Sequence, residues 1–408
     1  MLKNLTTRDY LYLRDSNKIN FPKISKIKVD QLTYILNNSY NEYFKKNFSK
    51  EKIAILFKPI ISVIVENYII YETLDNSLLK LLNDKITVPL DLHSSFFLQR
   101  DKNFSILNSI ETLIYKFNHN LQLNSKDFII KKVTQEKNLK KLLKKNIFRF
   151  FNKVFAIKKN KIYFDILNIN LFLKILKKNH SPQFLQLQNI KLKFEDINIE
   201  NRNKLYLLGL KSDLDENLKN EWFILVYLLP ISLFENFEFL NEKTKKNDLN
   251  IKRFVLSNIR KNEDECFFIT NNIDKHKSKL EIFQYGVGLY FQQQHIFATE
   301  FEYEIASKYY SWTSLNDKKS IQIPLFRNFK KSNKPISQIL LINSSWGYFY
   351  KFTNGPMFEG VKKNFDNQIK FLNLVKTKFN KLIIKDAKYT DENFDKIKIY
   401  KENDLLKY

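Results

Sequence analysis

The longest apolar run in the chain, WFILVYLLPISLF over Trp222–Phe234, does most to limit what this polypeptide can fold into. It has thirteen residues and is interrupted by Pro230, whereas a membrane-spanning helix needs roughly 20 apolar residues. The run must therefore be buried within protein, as a helix or a pair of strands. A chain of 408 residues is long enough for two or three domains, each with its own core. Cys266 is the single cysteine, which excludes an intrachain disulfide and points to a reducing compartment.

Apolar periodicity sets the expected organisation. VDQLTYILNNSYNEYF places Leu32, Ile35 and Leu36 on one helical face, with Asp30 as the expected N-cap. SKEKIAILFKPIISVIVENYIIYETLDNSLLKLLNDK continues the helical pattern, and Pro59 marks a kink or boundary in it. KIYFDILNINLFL fits either a strand or a helix, and Pro182 is expected to end that region. NEKTKKNDLNIKR (241–253) and RKNEDECFF (260–268) are expected to be exposed loops. Beyond residue 281, LEIFQYGVGLYF, HIFATEFEYEIA, KSIQIPLF and ISQILLIN are short, aromatic and β-branched, which suits strands. FDNQIKFLNLVKTKFNKLII returns to helical spacing.

The expected class is thus α+β, with a helical N-terminal part, a mixed or β-rich part around 281–361 and a C-terminal helix. The expected divisions are a helical scaffold over 1–125, a basic amphipathic segment over 126–182, a mixed region with charged loops over 183–280, and a β-rich region with a C-terminal helix over 281–408.

Charge and codon usage both bear on function. The formal net charge is +26, and a field of that sign attracts polyanions, nucleic acid first and anionic lipid second. Lys (61) and Asn (47) are abundant while Arg (8), Gly (6) and Ala (5) are scarce, the mark of an extremely AT-biased genome. Part of the Lys surplus is therefore mutational, because Arg is the better bidentate phosphate ligand. Five of the six glycines, Gly286, Gly288, Gly347, Gly355 and Gly360, fall in the β-rich part, where they are expected to hold unusual backbone angles.

The charge concentrates in KKVTQEKNLKKLLKKNIFRFFNKVFAIKKNK, residues 131–161, which carries twelve basic residues against Glu136. Leu139, Leu142, Leu143, Ile147, Phe150, Phe151, Val154 and Phe155 can form a buried helical stripe. Lys137/Lys141, Lys140/Lys144 and Lys141/Lys145 then repel at i,i+4, and an anionic partner offsets that cost. The phosphate-facing residues expected here are Lys131, Lys132, Lys137, Lys140, Lys141, Lys144, Lys145, Arg149, Lys153, Lys158, Lys159 and Lys161. FRNFKKSNK adds Arg327, Phe329, Lys330, Lys331 and Lys334, a basic loop with aromatics suited to base stacking. Lys362 and Lys363 form a third basic site.

Catalytic motifs are sparse. YGVGLYF has a G-x-G without the third glycine of a dinucleotide loop, and no phosphate-cradling G-x-x-x-x-G-K-[ST] occurs. Glu263, Asp264, Glu265, Cys266 and His276 suggest a metal site, but their spacing matches no zinc pattern and an exposed loop is preferred. LYLLGLKSDLDE (205–216) superficially resembles the LAGLIDADG motif of homing endonucleases. Lys211 lies within its packing seam, Leu214 replaces the metal-binding acid, and no second copy exists; Asp213, Asp215 and Glu216 are read as capping a turn.

In composition the chain resembles the mitochondrially encoded, AT-biased ribosomal proteins of ciliates: Lys-, Asn-, Phe- and Tyr-rich, nearly Gly-free and strongly basic. That resemblance implies a structural, non-enzymatic component of a mitochondrial ribosome in the matrix, bound to rRNA and neighbouring ribosomal proteins, with no cofactor or metal. The alternatives carried with it are an accessory subunit of a respiratory membrane complex touching the membrane surface, and a diverged organellar nucleic-acid enzyme.

Overall fold

The computed structural model describes residues 21–73, 85–91, 105–132, 161–164, 181–183, 191–212, 214–245, 249–257, 263–283, 296–311, 318–323, 338–342, 367, 369–374, 381–385 and 402. In chain order the elements are α1 (Phe21–Phe44), α2 (Lys50–Thr73), β1 (Ile86–Pro89), α3 (Ser105–Asn118), β2 (Phe128–Lys131), β3 (Lys161–Phe164), β4 (Ser181–Gln183), α4 (Ile199–Lys211), α5 (Lys219–Leu228), α6 (Phe237–Lys245), β5 (Ile251–Leu256), α7 (Glu263–His276), β6 (Lys279–Phe283), α8 (Ile296–Ile305), β7 (Lys308–Ser311), β8 (Ser320–Gln322), β9 (Gln338–Ile342) and β10 (Lys381–Lys385). The chain is an α+β protein, and every pairing among the described strands is parallel.

Two compact units divide the chain, one of residues 1–18 with 325–408, the other of residues 19–324. In the first unit, β9 pairs with β10 from Gln338↔Lys381 to Ile342↔Lys385. Residues 369–374 are helical, with Ile369 and Leu372 buried. The helical pattern expected to continue through Leu382 and Ile383 gives way there to β10, whose β-branched pair Ile383–Ile384 suits a parallel strand.

The larger unit has two cores. The first gathers α1 through Leu32, Leu36 and Tyr40, α2 through Phe57, Ile61 and Val65, and the run Trp222–Phe234. As expected, that run is buried, with Trp222–Leu228 forming most of α5. Among the described residues, no helix is long and apolar enough to cross a membrane. Tyr40 donates to the Leu233 carbonyl at 2.9 Å and packs edge-on against Phe57 and Phe237.

Arg202, fully buried on α4, anchors the end of α5. Its Nη1 donates to the Val226 and Tyr227 carbonyls at 2.8 and 3.0 Å, and its Nη2 to the Leu229 carbonyl at 2.9 Å. These carbonyls belong to the last turn and cap region of a helix, where intrahelical donors run out. Gly209, also on α4, lets α5 approach: a Cβ built there would lie 2.1–2.3 Å from the Trp222 ring. Residues 205–211 of the stretch that superficially resembled an endonuclease motif therefore lie on an ordinary helix whose glycine makes room for a tryptophan. Beyond it, Asp215 accepts from the Asn217 amide at 3.0 Å, the turn-capping role expected of it.

The second core lies on one face of a six-stranded sheet ordered β4-β3-β5-β6-β7-β8. Phe254, Leu256, Leu280, Ile282 and Tyr309 on that face meet Phe268 and Ile269 of α7 and Phe301 of α8. α7 also supplies Cys266 and Phe267 to the first core, so it is apolar on two sides.

Several local expectations change. Asp30 lies inside α1 rather than at its start and pairs with Lys58 at 2.8 Å. Pro59 stands inside α2 without ending it, its cost borne by burial of the turns on either side. Residues 241–253 hold part of α6 and the start of β5, with Asn241, Thr244 and Ile251 buried. HIFATEFEYEIA contains α8, not a strand; packing between sheet and helix overrode the β preference of its aromatics. Pro182 sits within β4 at the sheet edge, where a missing amide is tolerated. Left-handed backbone is carried by Lys45, Asn120, Asn250 and Lys277, with φ of 47–51°. The five glycines expected to supply such angles lie outside the described residues.

Candidate active site

In the large sheet, β3 pairs with β4 on one side and β5 on the other, and the chain then runs outward through β6, β7 and β8. The strand order thus reverses between β3 and β5. In open parallel sheets, ligands bind outside the carboxyl ends of the strands at such a reversal.

Two side chains meet there. Tyr163 on β3 lies opposite Phe254 on β5, and its hydroxyl donates to Glu265 Oε1 at 2.6 Å. Tyr163 is buried against the Phe254 and Phe268 rings, with centroids 5.6 and 6.5 Å away. Glu265 is half-buried, on the first turn of α7, the helix that follows β5. Glu263, Asp264 and Glu265 all occupy that turn, where negative charge complements the helix dipole.

A second strand end reaches the same helix terminus. The Ile231 and Ser232 amides donate to the carbonyls of Pro89 and Leu90 at 3.1 and 2.9 Å, at the carboxyl end of β1. The Ser232 hydroxyl donates to Glu263 Oε1 at 3.0 Å. The amino end of α7 is therefore held on one side by the β1 end through Ser232 and on the other by β3 through Tyr163. A half-exposed carboxylate fixed by a phenol hydroxyl can accept a proton from a nucleophile placed at the sheet edge.

The model of the LIC12162 family transferases matches residues 13–404. The chain belongs to that family. No curated protein and no solved structure matches it. The match overturns the expectation of a non-enzymatic ribosomal rRNA-binding component, together with its non-catalytic alternative and the nucleic-acid enzyme. Net charge misled because charge alone names no activity.

Of the basic residues singled out in sequence, three are described in this transferase. Lys131 ends β2, Lys132 follows it exposed, and Lys161 opens β3 in the other sheet. Lys137, Lys140, Lys141, Lys144, Lys145, Arg149, Lys153, Lys158, Lys159, Arg327, Phe329, Lys330, Lys331, Lys334, Lys362 and Lys363 lie outside the described residues.

The acids at 263–265 were visible in sequence but assigned to a loop. Acids in the first turn, Lys275 and His276 in the last, and buried Cys266, Phe267, Ile269 and Thr270 between them form a helix signature. Nothing in the sequence joins Tyr163 to Glu265, 102 residues away.

Proposed function

We propose that this chain catalyses group transfer at the carboxyl edge of the six-stranded sheet, with Glu265 as general base and Tyr163 as the residue that positions it. The family match supports transfer chemistry, and the 2.6 Å bond across the strand-order reversal is the observation that carries the site assignment. An acceptor hydroxyl or amine gives its proton to Glu265 as its lone pair forms a bond to the donor's electrophilic atom. The bond from that atom to the leaving group breaks, and its electrons depart with the leaving group. Placing the site by strand order is a fold-level analogy; the carboxylate and phenol supply its chemistry.

The test incubates the full chain with a panel of phosphate-activated donors and alcohol or amine acceptors, reading release of the leaving group. Glu265→Gln is expected to lower the rate about 10²–10⁴-fold, the usual weight of a positioned base. A Glu265→Gln protein that keeps the wild-type rate overturns the assignment.

A further inference from the structure

The strand ends opposite Glu265 form a second charged surface. β5, β6 and β7 run parallel and side by side, so their amino ends make one edge, with neighbouring strands about 4.8 Å apart. Lys252 is the second residue of β5, Lys279 the first of β6 and Lys308 the first of β7. Lys277 lies in the connection from α7 to β6, and Lys318 in the turn before β8.

All five lysines are exposed, and none has a carboxylate partner among the described residues. The acids beside them are matched elsewhere. Glu281 takes two bonds from Arg253, at 2.9 and 2.6 Å, Glu304 pairs with Lys58 at 2.9 Å, and Asp274 accepts from the Ser49 hydroxyl.

Folding alone accounts for little of this row. A cation just past a helix end complements the dipole, which serves Lys277. Lys252, Lys279 and Lys308 have already entered strands, beyond the turn over which that field acts. Like charges on neighbouring strands destabilise a sheet, and an anionic partner offsets that cost.

The exposed aromatic rings of the described residues, Tyr34, Tyr115, Phe194 and Phe371, lie on other elements. A nucleic-acid strand would find phosphate contacts at this edge but no ring on which to stack a base. A flat layer of phosphates asks only for charge.

We infer that the amino edge of the six-stranded sheet docks on an anionic lipid surface through Lys252, Lys277, Lys279, Lys308 and Lys318. Docked this way, the chain keeps its carboxyl edge, at the far ends of the same strands, turned away from the lipid and open to substrate. The inference goes beyond the transfer chemistry and does not depend on Glu265.

Flotation of the full chain with vesicles of phosphatidylcholine, alone or mixed with phosphatidylserine, tests it. The wild-type chain should float with the mixed vesicles only, and less as salt rises. A lysine near such a surface contributes about fivefold in partition, so Lys252→Gln, Lys279→Gln and Lys308→Gln together should weaken binding about 100-fold. Exposed-site changes of this kind leave the fold intact, and an unchanged circular dichroism spectrum separates lost docking from lost folding. Lys191→Gln, Lys193→Gln and Lys211→Gln remove the same charge from exposed sites outside the sheet and should keep most of the binding. Glu265→Gln should float as the wild type does, whatever its rate of transfer. Equal losses in the two triple variants would show attraction by net charge alone and overturn the inference. It is also overturned by equal capture on neutral vesicles, by no capture on mixed ones, or by tighter binding of a single-stranded RNA oligonucleotide through the same lysines.

Discussion

Arg202 and Glu235 form a two-bond pair inside the helical core, Nε to Oε1 and Nη2 to Oε2, both at 2.8 Å. With its three bonds to the end of α5, all five guanidinium donors of Arg202 are satisfied. Arg202→Ala would strand a carboxylate that is 5% exposed together with three carbonyls. Breaking a buried pair by removing one partner costs about 3–5 kcal/mol. The urea midpoint of Arg202→Ala should fall by a corresponding amount, and a shift equivalent to less than about 1 kcal/mol would contradict this account.

Lys52 should make stability depend on alkaline pH. It is 2% exposed and donates to Asn241 and Asn271 at 2.7 and 2.5 Å. Burial lowers its pKa to about 8, against a smaller opposing pull from Asp274. Between pH 8 and the unfolded lysine value of about 10.4, the unfolded chain holds a proton that the folded chain lacks, so stability rises with pH. The gain is of order 2–3 kcal/mol. Tyr227, raised by burial to about 12, acts in the opposite sense above pH 10, so the comparison belongs between pH 7 and 9.5. Lys52→Met should flatten the rise in urea midpoint across that range; a slope equal to wild type would show that Lys52 is not its source.

Gly209 should tolerate no side chain. Trp222 is fully buried, and its indole N–H donates to the Tyr206 carbonyl at 3.0 Å. The ring cannot retreat from a new Cβ without losing that bond. Gly209→Ala should destabilise by about 1–3 kcal/mol and alter tryptophan fluorescence, despite the helix preference for alanine. A stabilised Gly209→Ala protein would mean that α4 and α5 pack less closely.

The Tyr163–Glu265 bond should be visible in the pH profile of transfer. A hydrogen bond to a carboxylate favours its charged form. Tyr163→Phe should therefore move the acid limb of kcat/KM to higher pH, and Glu265→Gln should abolish the limb along with most of the rate. An acid limb in the same place in Tyr163→Phe would remove Tyr163 from its positioning role.

Where apolar spacing was regular, the sequence predicted the fold well. Leu32, Ile35 and Leu36 are buried on one face of α1, and Trp222–Leu228 are buried in α5. It predicted poorly where tertiary packing decided. Phe301 and Tyr303 favour strands in isolation, yet they lie on a helix because Phe301 fills the space over the sheet. α7 is apolar on two sides, and no single-face pattern marks it. The site was half visible: the acids stood out, but their phenol partner lies on another element and is brought near only by strand order.

The parallel pairing also sets the order in which the molecule can assemble. Lys161 of β3 must find Ser181 of β4 and Ile251 of β5, and Ile86 of β1 must find Phe128 of β2. Among the described strands no tight hairpin shortens that search, so contacts between distant residues control the folding rate. Helices form on far shorter timescales than such pairings. In refolding experiments the far-UV helical signal should lead, with transferase activity returning in a slower phase; simultaneous recovery would contradict this order. A chain caught part-way would hold its helices without a working catalytic edge.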